Sequence, residues 1–69
     1  MIWIGTFDSG IYLFDLKSQN IINHFCSENT GSGLLVNGIV CFRKTSFNEI
    51  LVGTMGGLYR YVESKNRFE

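Results

Sequence analysis

Proline is missing from this chain of 69 residues, and soft metal ligands are scarce, with one histidine and two cysteines. His24, Cys26 and Cys41 are too few for a zinc site, and the spacing of the two cysteines matches no metal motif. We therefore predict no metal and no cofactor. The two thiols are interpreted as ordinary buried side chains, while a disulfide between them stays open.

Runs of like charge are also missing, because the six basic and six acidic residues are scattered and cancel. Nucleic-acid binding needs a concentrated basic face, so nucleic acid is not expected as a partner. No apolar stretch reaches the roughly 18 residues of a membrane span. The first residues lack the basic region and long apolar core of a signal peptide. We expect neither a span nor a leader in this chain.

A set of catalytic groups is missing as well. His24 has no nucleophile or acid partner that the sequence would hold beside it. Asp8 and Asp15, the only aspartates, lie in predicted turns, where this residue type bonds to its own backbone. The glycine-rich segment 53–57 lacks the Lys-Ser or Lys-Thr pair and the following helix of a phosphate loop. The sequence therefore predicts a protein that is not an enzyme, with no catalytic residue.

What the chain has is apolar and aromatic side chains, at 45% and 14% of the residues. This composition is typical of a folded protein and excludes intrinsic disorder. A chain of this length buries only about 60% of the surface that its unfolded form exposes. We expect one compact unit that needs neighbours to complete its core.

An internal repeat is the most informative pattern. The segment Ile2–Thr6 recurs as Ile50–Thr54, and Gly10–Phe14 recurs as Gly57–Tyr61. The spacing of the two pairs differs by one residue, in a connecting turn where length changes are tolerated. A repeat of roughly 40–50 residues has the length of a four-stranded β-propeller blade.

The residue pattern of the rest of the chain also predicts short strands joined by turns. Segment 27–33 is small, polar and glycine-rich, which argues against regular structure there. We predict an all-β fold of antiparallel strands forming about one and a half propeller blades. Residues 1–26 form a partial blade of three strands, 27–36 an inter-blade loop, and 37–69 a second partial blade. The predicted strands are Ile2–Thr6, Gly10–Asp15, Ile21–Phe25, Gly38–Phe42, Ile50–Thr54, Leu58–Val62 and a last one beginning at Phe68.

Several strands show no polar alternation. The segments Ile2–Ile4, Ile11–Phe14 and Ile39–Phe42 are apolar throughout. Successive side chains of a strand point to opposite faces, so both faces of these strands require cover. Stacked propeller blades supply that environment.

The repeated motifs resemble those of a known family, the two-component regulator propeller repeat. Ile2–Thr6 followed by Gly10–Asp15 is similar to its tryptophan-isoleucine-glycine-threonine strand and tyrosine strand, and Gly56–Tyr61 matches the second part closely. Residues 32–40 look like its inter-blade linker and innermost strand. Leu51 departs from the pattern, since the family prefers tryptophan there.

The resemblance implies a fragment of the periplasmic sensor region of a hybrid two-component histidine kinase of the Bacteroidetes type. Such regions commonly respond to carbohydrate, so an oligosaccharide ligand is implied. The implied partners are the remaining blades of the parent protein, or further copies of the chain. The chain itself contains no kinase residues.

Four residues are predicted to bind ligand. Phe7 and Met55 occupy equivalent turns, where an apolar side chain tends to be exposed. In propellers these turns lie at the same end as the inter-blade loop, which commonly carries the binding surface. Asp8 and Asn29 complete the set. The aromatic residues of the strands are instead predicted to pack between blades.

Two alternatives stay open. The chain could be a stand-alone structural or interaction module that associates through exposed strand edges. It could also be a blade of a propeller enzyme such as a polysaccharide lyase or a glycosidase. Only Tyr59 and Arg60 approach the required constellation, and in a strand these two point to opposite faces.

Overall fold

The structure is a computed structural model that describes residues 1–69. It contains strands and two single 3-10 turns, Thr30–Ser32 and Glu63–Lys65, and no α-helix. No helix that could span a membrane is therefore present. The strands are β1 (Ile2–Gly5), β2 (Ile11–Asp15), β3 (Asn20–Phe25), β4 (Ile39–Lys44), β5 (Ile50–Thr54), β6 (Gly57–Val62) and β7 (Arg67–Phe68).

The strands form two antiparallel sheets in which every strand pairs with its neighbour in the chain. The first sheet has the order β1-β2-β3 and the second the order β4-β5-β6-β7. The predicted all-β antiparallel fold is confirmed, and sheets of three and four strands are consistent with about one and a half blades. The second sheet is a full four-stranded meander because the short β7 still pairs with β6.

The connection between the sheets is more ordered than the sequence predicts. Asn29 caps the 3-10 turn, since its side-chain oxygen accepts a hydrogen bond from the backbone of Gly31. The hydroxyl of Ser32 donates to the carbonyl of Cys26 at 2.7 Å and is buried with it. This loop therefore delivers Leu34, which is 2% exposed, into the core.

The internal repeat recurs in the hydrogen bonds of the two equivalent hairpins. In the β1–β2 turn the hydroxyl of Thr6 donates to the carbonyl of Gly10, and in the β5–β6 turn Thr54 donates to that of Gly57, both at 2.7 Å. Each threonine oxygen also accepts a backbone N–H from its own turn, from Ser9 and from Gly56. The two copies thus share local chemistry as well as strand order.

The core lies between the sheets, and one face of each sheet contributes to it. Cross-strand partners share a face, so Trp3, Leu13 and Asn23 lie together on the first sheet, beside Gly5, Ile11 and Phe25. These pairs form the inner face of the first sheet. The buried cluster consists of Ile11, Leu13, Phe25, Leu34, Val52 and Phe68. Trp3, Phe25, Tyr61 and Phe68 add edge-to-face and stacked aromatic contacts.

The outward-facing sides of both sheets are open. The strands predicted to need cover on both faces receive it on one face only, because the chain contains just two sheets. Ile2 and Ile4 in β1 and Leu58 in β6 are exposed for this reason.

The two cysteines differ from each other. Both are free, and Cys26 is buried as predicted, whereas Cys41 is exposed. The prediction of two buried thiols is therefore wrong for Cys41. The reason is that Cys41 pairs with Gly53 on the open outward side of the second sheet.

Candidate functional site

Two hairpin turns meet at one end of the sheets, which we call the upper end: it carries the β1–β2 turn, the β5–β6 turn and segment 26–38. Gly38 lies between the turns, since its carbonyl accepts a hydrogen bond from the backbone of Met55 at 2.9 Å. A Cβ atom on Gly38 would lie 2.7 Å from Cγ of Met55 and 3.2 Å from the carbonyl oxygen of Phe7. Only glycine allows the two turns to approach this closely.

Three of the four predicted binding residues lie on these turns. Phe7 is 81% exposed and Met55 is 69% exposed, so two large apolar side chains face solvent at the upper end. Asp8 is also exposed, and its carboxylate accepts a hydrogen bond from the hydroxyl of Ser9 at 3.1 Å. The structure thus brings residues from both repeat copies around Gly38.

Asn29 is exposed at the same end, but its side-chain oxygen already accepts a hydrogen bond from the backbone N–H of Gly31 in the 3-10 turn. The residues that anchor this segment are Glu28 and Asn37, which no sequence motif marks. Asn37 accepts a hydrogen bond from the backbone of Ser27 at 2.7 Å and donates to the carboxylate of Glu28, also at 2.7 Å. The hydrogen bond from Asn37 holds the pKa of Glu28 below its ordinary value.

His24 lies just below the upper end and has a packing role. Its ring stacks on Tyr12 with a centroid distance of 4.0 Å and an interplanar angle of 4°. The Nε2 atom contacts the backbone carbonyl of Ser9 at 2.5 Å. These contacts link β2, β3 and the β1–β2 turn, and they make His24 half-buried.

A cleft of about 810 Å³ opens between the sheets at the opposite end. Its apolar wall includes Trp3, Leu13 and Tyr61, and Phe47 lies at its rim. None of the four predicted binding residues lines the cleft. The sequence identifies Trp3 and Tyr61 only as aromatics that pack between sheets, and no sequence signal marks the turns that close the rest of the cleft.

The cleft combines aromatic and polar groups. The hydroxyl of Tyr61 donates to the side-chain oxygen of Asn66 at 2.7 Å. Burial, with a contribution from the negative charge of Glu63, raises the pKa of Tyr61. The Trp3 ring meets Tyr61 edge-to-face at a centroid distance of 4.9 Å. This arrangement can hold a small, mostly apolar molecule.

Acidic, histidine and cysteine side chains do not gather anywhere in the chain, because no three of them lie close enough to hold a metal ion. The fold and the two sites define the class: an all-β protein of two face-packed antiparallel sheets with an exposed apolar upper end. Comparison with known proteins finds no matching family, no similar curated protein and no similar solved structure.

Proposed function

We propose that this chain is a non-catalytic segment of a ligand-sensing β-propeller, from the periplasmic sensor region of a two-component histidine kinase. Its role is to contribute scaffold and one part of a carbohydrate-binding surface at the upper end. The resemblance of the repeat motifs suggests the sensor family. The observation that carries the binding proposal is the exposure of Phe7 and Met55 on adjacent turns.

These two side chains suit the C–H faces of a sugar ring. An aromatic ring such as that of Phe7 provides a rigid apolar platform, and the methionine side chain adapts to the shape that it contacts. Asp8, which follows Phe7 in the β1–β2 turn, supplies carboxylate oxygens, and Asn29 supplies an amide from the segment between the sheets. The upper end therefore combines an apolar platform with polar groups for hydroxyls.

The location of the turns also suits signalling. Phe7 belongs to the first sheet and Met55 to the second, so a ligand that contacts both would link two blades. Binding energy that differs between two arrangements of the blades shifts their populations. The chain would pass that shift to the rest of the parent protein.

The proposal is tested by titrating the chain with a panel of oligosaccharides while amide signals are followed by NMR. We expect the signals of the upper-end turns to move, and F7A and M55A each to weaken binding several-fold. F47A is the matched control, because Phe47 is 84% exposed and Phe7 is 81% exposed, but Phe47 lies at the cleft end.

Two results contradict the proposal. If F47A abolishes binding while F7A does not affect it, the ligand occupies the cleft and the upper end is not the site. If no oligosaccharide moves any signal of the upper end, the carbohydrate assignment is wrong.

A second candidate is an interaction module that pairs through a strand edge, and one observation favours it. The first sheet lacks a strand equivalent to β4, so β1 is an edge with open backbone groups. A synthetic peptide of residues 38–44 should add beside β1 and shift the amide signals of Trp3 and Gly5, because the N–H groups of Ile2 and Ile4 point toward β2. A scrambled peptide that gives the same shifts would rule out specific pairing.

A further inference from the structure

The outer face of the first sheet is mostly apolar, and no second sheet covers it; its one polar ring is that of His24, which stacks on Tyr12. Cross-strand pairs place its members side by side: Ile2 with Phe14, Ile4 with Tyr12, and Phe14 with Ile21. Ile2, Ile4 and Ile21 are exposed, and the two aromatic rings are half-buried. We call these five residues the open face.

The repeat makes the open face equivalent to the face of the second sheet that packs on the first sheet. Each of the five members of the open face has an equivalent residue in the second copy of the repeat. Four equivalents keep the aliphatic or aromatic character of the first copy, and the fifth has phenylalanine in place of Ile21. In the order Ile2, Ile4, Tyr12, Phe14 and Ile21, the equivalents are Ile50, Val52, Tyr59, Tyr61 and Phe68. Those five belong to, or pack against, the buried core, where Val52 and Phe68 are fully buried. The open face is thus a second copy of the surface that packs on the first sheet.

The complementary surface also recurs. The inner face of the first sheet contains Trp3, Gly5, Ile11 and Leu13. Their equivalents Leu51, Gly53, Leu58 and Arg60 form a continuous outward patch of the second sheet, because Leu51 pairs with Arg60 and Gly53 with Leu58. We call these four residues the outward patch.

Two members of the outward patch keep the features that matter for close packing. Gly5 lets the sheets approach, since a Cβ atom there would lie 2.6 Å from Cγ2 of Ile39. Gly53 is likewise a glycine, and the Sγ atom of Cys41 on the neighbouring strand lies 2.9 Å from where its Cβ atom would be, so Cys41 flanks the outward patch there. Leu58, which is 70% exposed, retains the aliphatic character of Ile11.

From these equivalences we infer that the open face binds the outward patch of a second copy of this chain, head to tail. Each molecule thus exposes two surfaces that are equivalent to the two sides of its own inter-sheet interface: the open face and the outward patch. Because the two surfaces differ, the contact is heterologous, so the assembly grows until it closes into a ring or continues as a filament.

The charge balance of the chain is compatible with self-association. The chain has a formal net charge of zero, so copies do not repel one another strongly. Arg60 is the charged member of the outward patch, where Leu13 stands in the first copy, and the exposed Arg43 flanks the patch because it pairs with Leu51. The guanidinium group of Arg60 pairs with the carboxylate of Glu49 at 3.4 Å, so this charge has a partner within the molecule.

The test combines two charge variants of the full chain, I4E in the open face and L58E in the outward patch, with sedimentation velocity as the readout. We expect the wild type to form oligomers larger than a dimer, and each variant to sediment as a monomer. An equimolar mixture should form a dimer that grows no further, because it contains one intact open face and one intact outward patch.

The controls separate this interface from the alternatives. L16E should assemble like the wild type, since Glu63 stands at the equivalent position of the second copy. I21E provides a second variant of the open face if I4E does not fold by circular dichroism. A monomeric wild type, an L58E variant that still dimerises alone, or a mixture that stays monomeric overturns the inference. These outcomes do not depend on ligand binding at the upper end, so the two proposals fail separately.

Discussion

Trp3 is the residue on which the contact between the sheets depends most. Its ring meets residues of both sheets, at centroid distances of 6.0 Å to Phe25, 4.9 Å to Tyr61 and 5.9 Å to Phe68. Aromatic pairs of this kind stabilise beyond the area that they bury. Trp3 is half-buried because one edge of the ring lines the cleft.

We predict that W3A lowers the free energy of unfolding by about 3 kcal/mol, at the lower end of the range for truncating a core aromatic. The reason is the loss of three aromatic contacts and the widening of the cleft. Urea denaturation followed by circular dichroism measures the change.

F47A provides the control for W3A, since Phe47 is exposed and its truncation should change the free energy of unfolding by no more than about 0.5 kcal/mol. Equal effects of the two substitutions would mean that Trp3 does not hold the sheets together.

The connection between the sheets is the element held by Glu28 and Asn37, and its stability depends on pH. The hydrogen bond from Asn37 lowers the folded pKa of Glu28 below its ordinary value of 4.5. Its contribution to stability is therefore present above pH 4.5, and it is lost as the pH falls through the lowered pKa of the folded state.

We predict that N37A raises the pKa of Glu28 toward its ordinary value, as measured by an NMR titration of the side-chain carboxyl group, because the hydrogen bond from Asn37 is the largest cause of the lowering. N29A is the matched control, because Asn29 bonds to Gly31 and not to Glu28. The same lowered pKa in N37A and in the wild type would show that Asn37 is not its cause.

The two equivalent hairpins differ in how far their threonines are shielded from water. The Thr6 hydrogen bond is part-buried and that of Thr54 is exposed. Removing one partner of a hydrogen bond destabilises the fold more when the bond is shielded from water, because the remaining polar group cannot bond to water instead.

We predict that T6V destabilises the fold by about 1–2 kcal/mol and T54V by less than about 1 kcal/mol. Thermal unfolding of both variants measures the difference, with T30V as a control, since the exposed Thr30 donates no side-chain hydrogen bond. A larger loss for T54V would contradict the assignment of the shielded bond to the first hairpin.

At the scale of the whole molecule, few residues are buried for the amount of apolar surface. Only 10 of the 69 residues are buried, while twelve large apolar side chains are exposed. A protein with so small a core has little stability of its own. Any partner that covers the open face would therefore stabilise the fold by mass action.

We predict that the urea midpoint of the wild type rises with protein concentration, because assembly through the open face favours the folded state. The midpoint of I4E should be independent of concentration, and that of L16E should rise like the wild type. A wild-type midpoint that does not change with concentration would contradict association of folded chains.

Most of the local structure is predictable from the residues. The segments Ile2–Gly5 and Ile50–Thr54 repeat, and polar, glycine-containing turns bound them, so strands and hairpins follow from short-range patterns. Even the exposed positions of Phe7 and Met55 follow, because a side chain at a tight turn has few neighbours to cover it.

The cleft and the state of Cys41 could not be predicted in the same way. Trp3 and Tyr61 are distant in sequence, and the cleft that they line exists only because residues of both sheets and of the β4–β5 turn come together in space. Cys41 belongs to the apolar run Ile39–Phe42 of β4, so its exposure depends on whether another layer covers that side of the second sheet.

The sequence by itself determined the strands, their order and their repeat, since backbone conformation and side-chain alternation are set by neighbouring residues. Only the tertiary structure decided which faces meet, how Gly38 joins two turns, and which apolar faces stay open. The physical reason is that packing depends on which surfaces come together in space, and adjacent residues along the chain do not specify that.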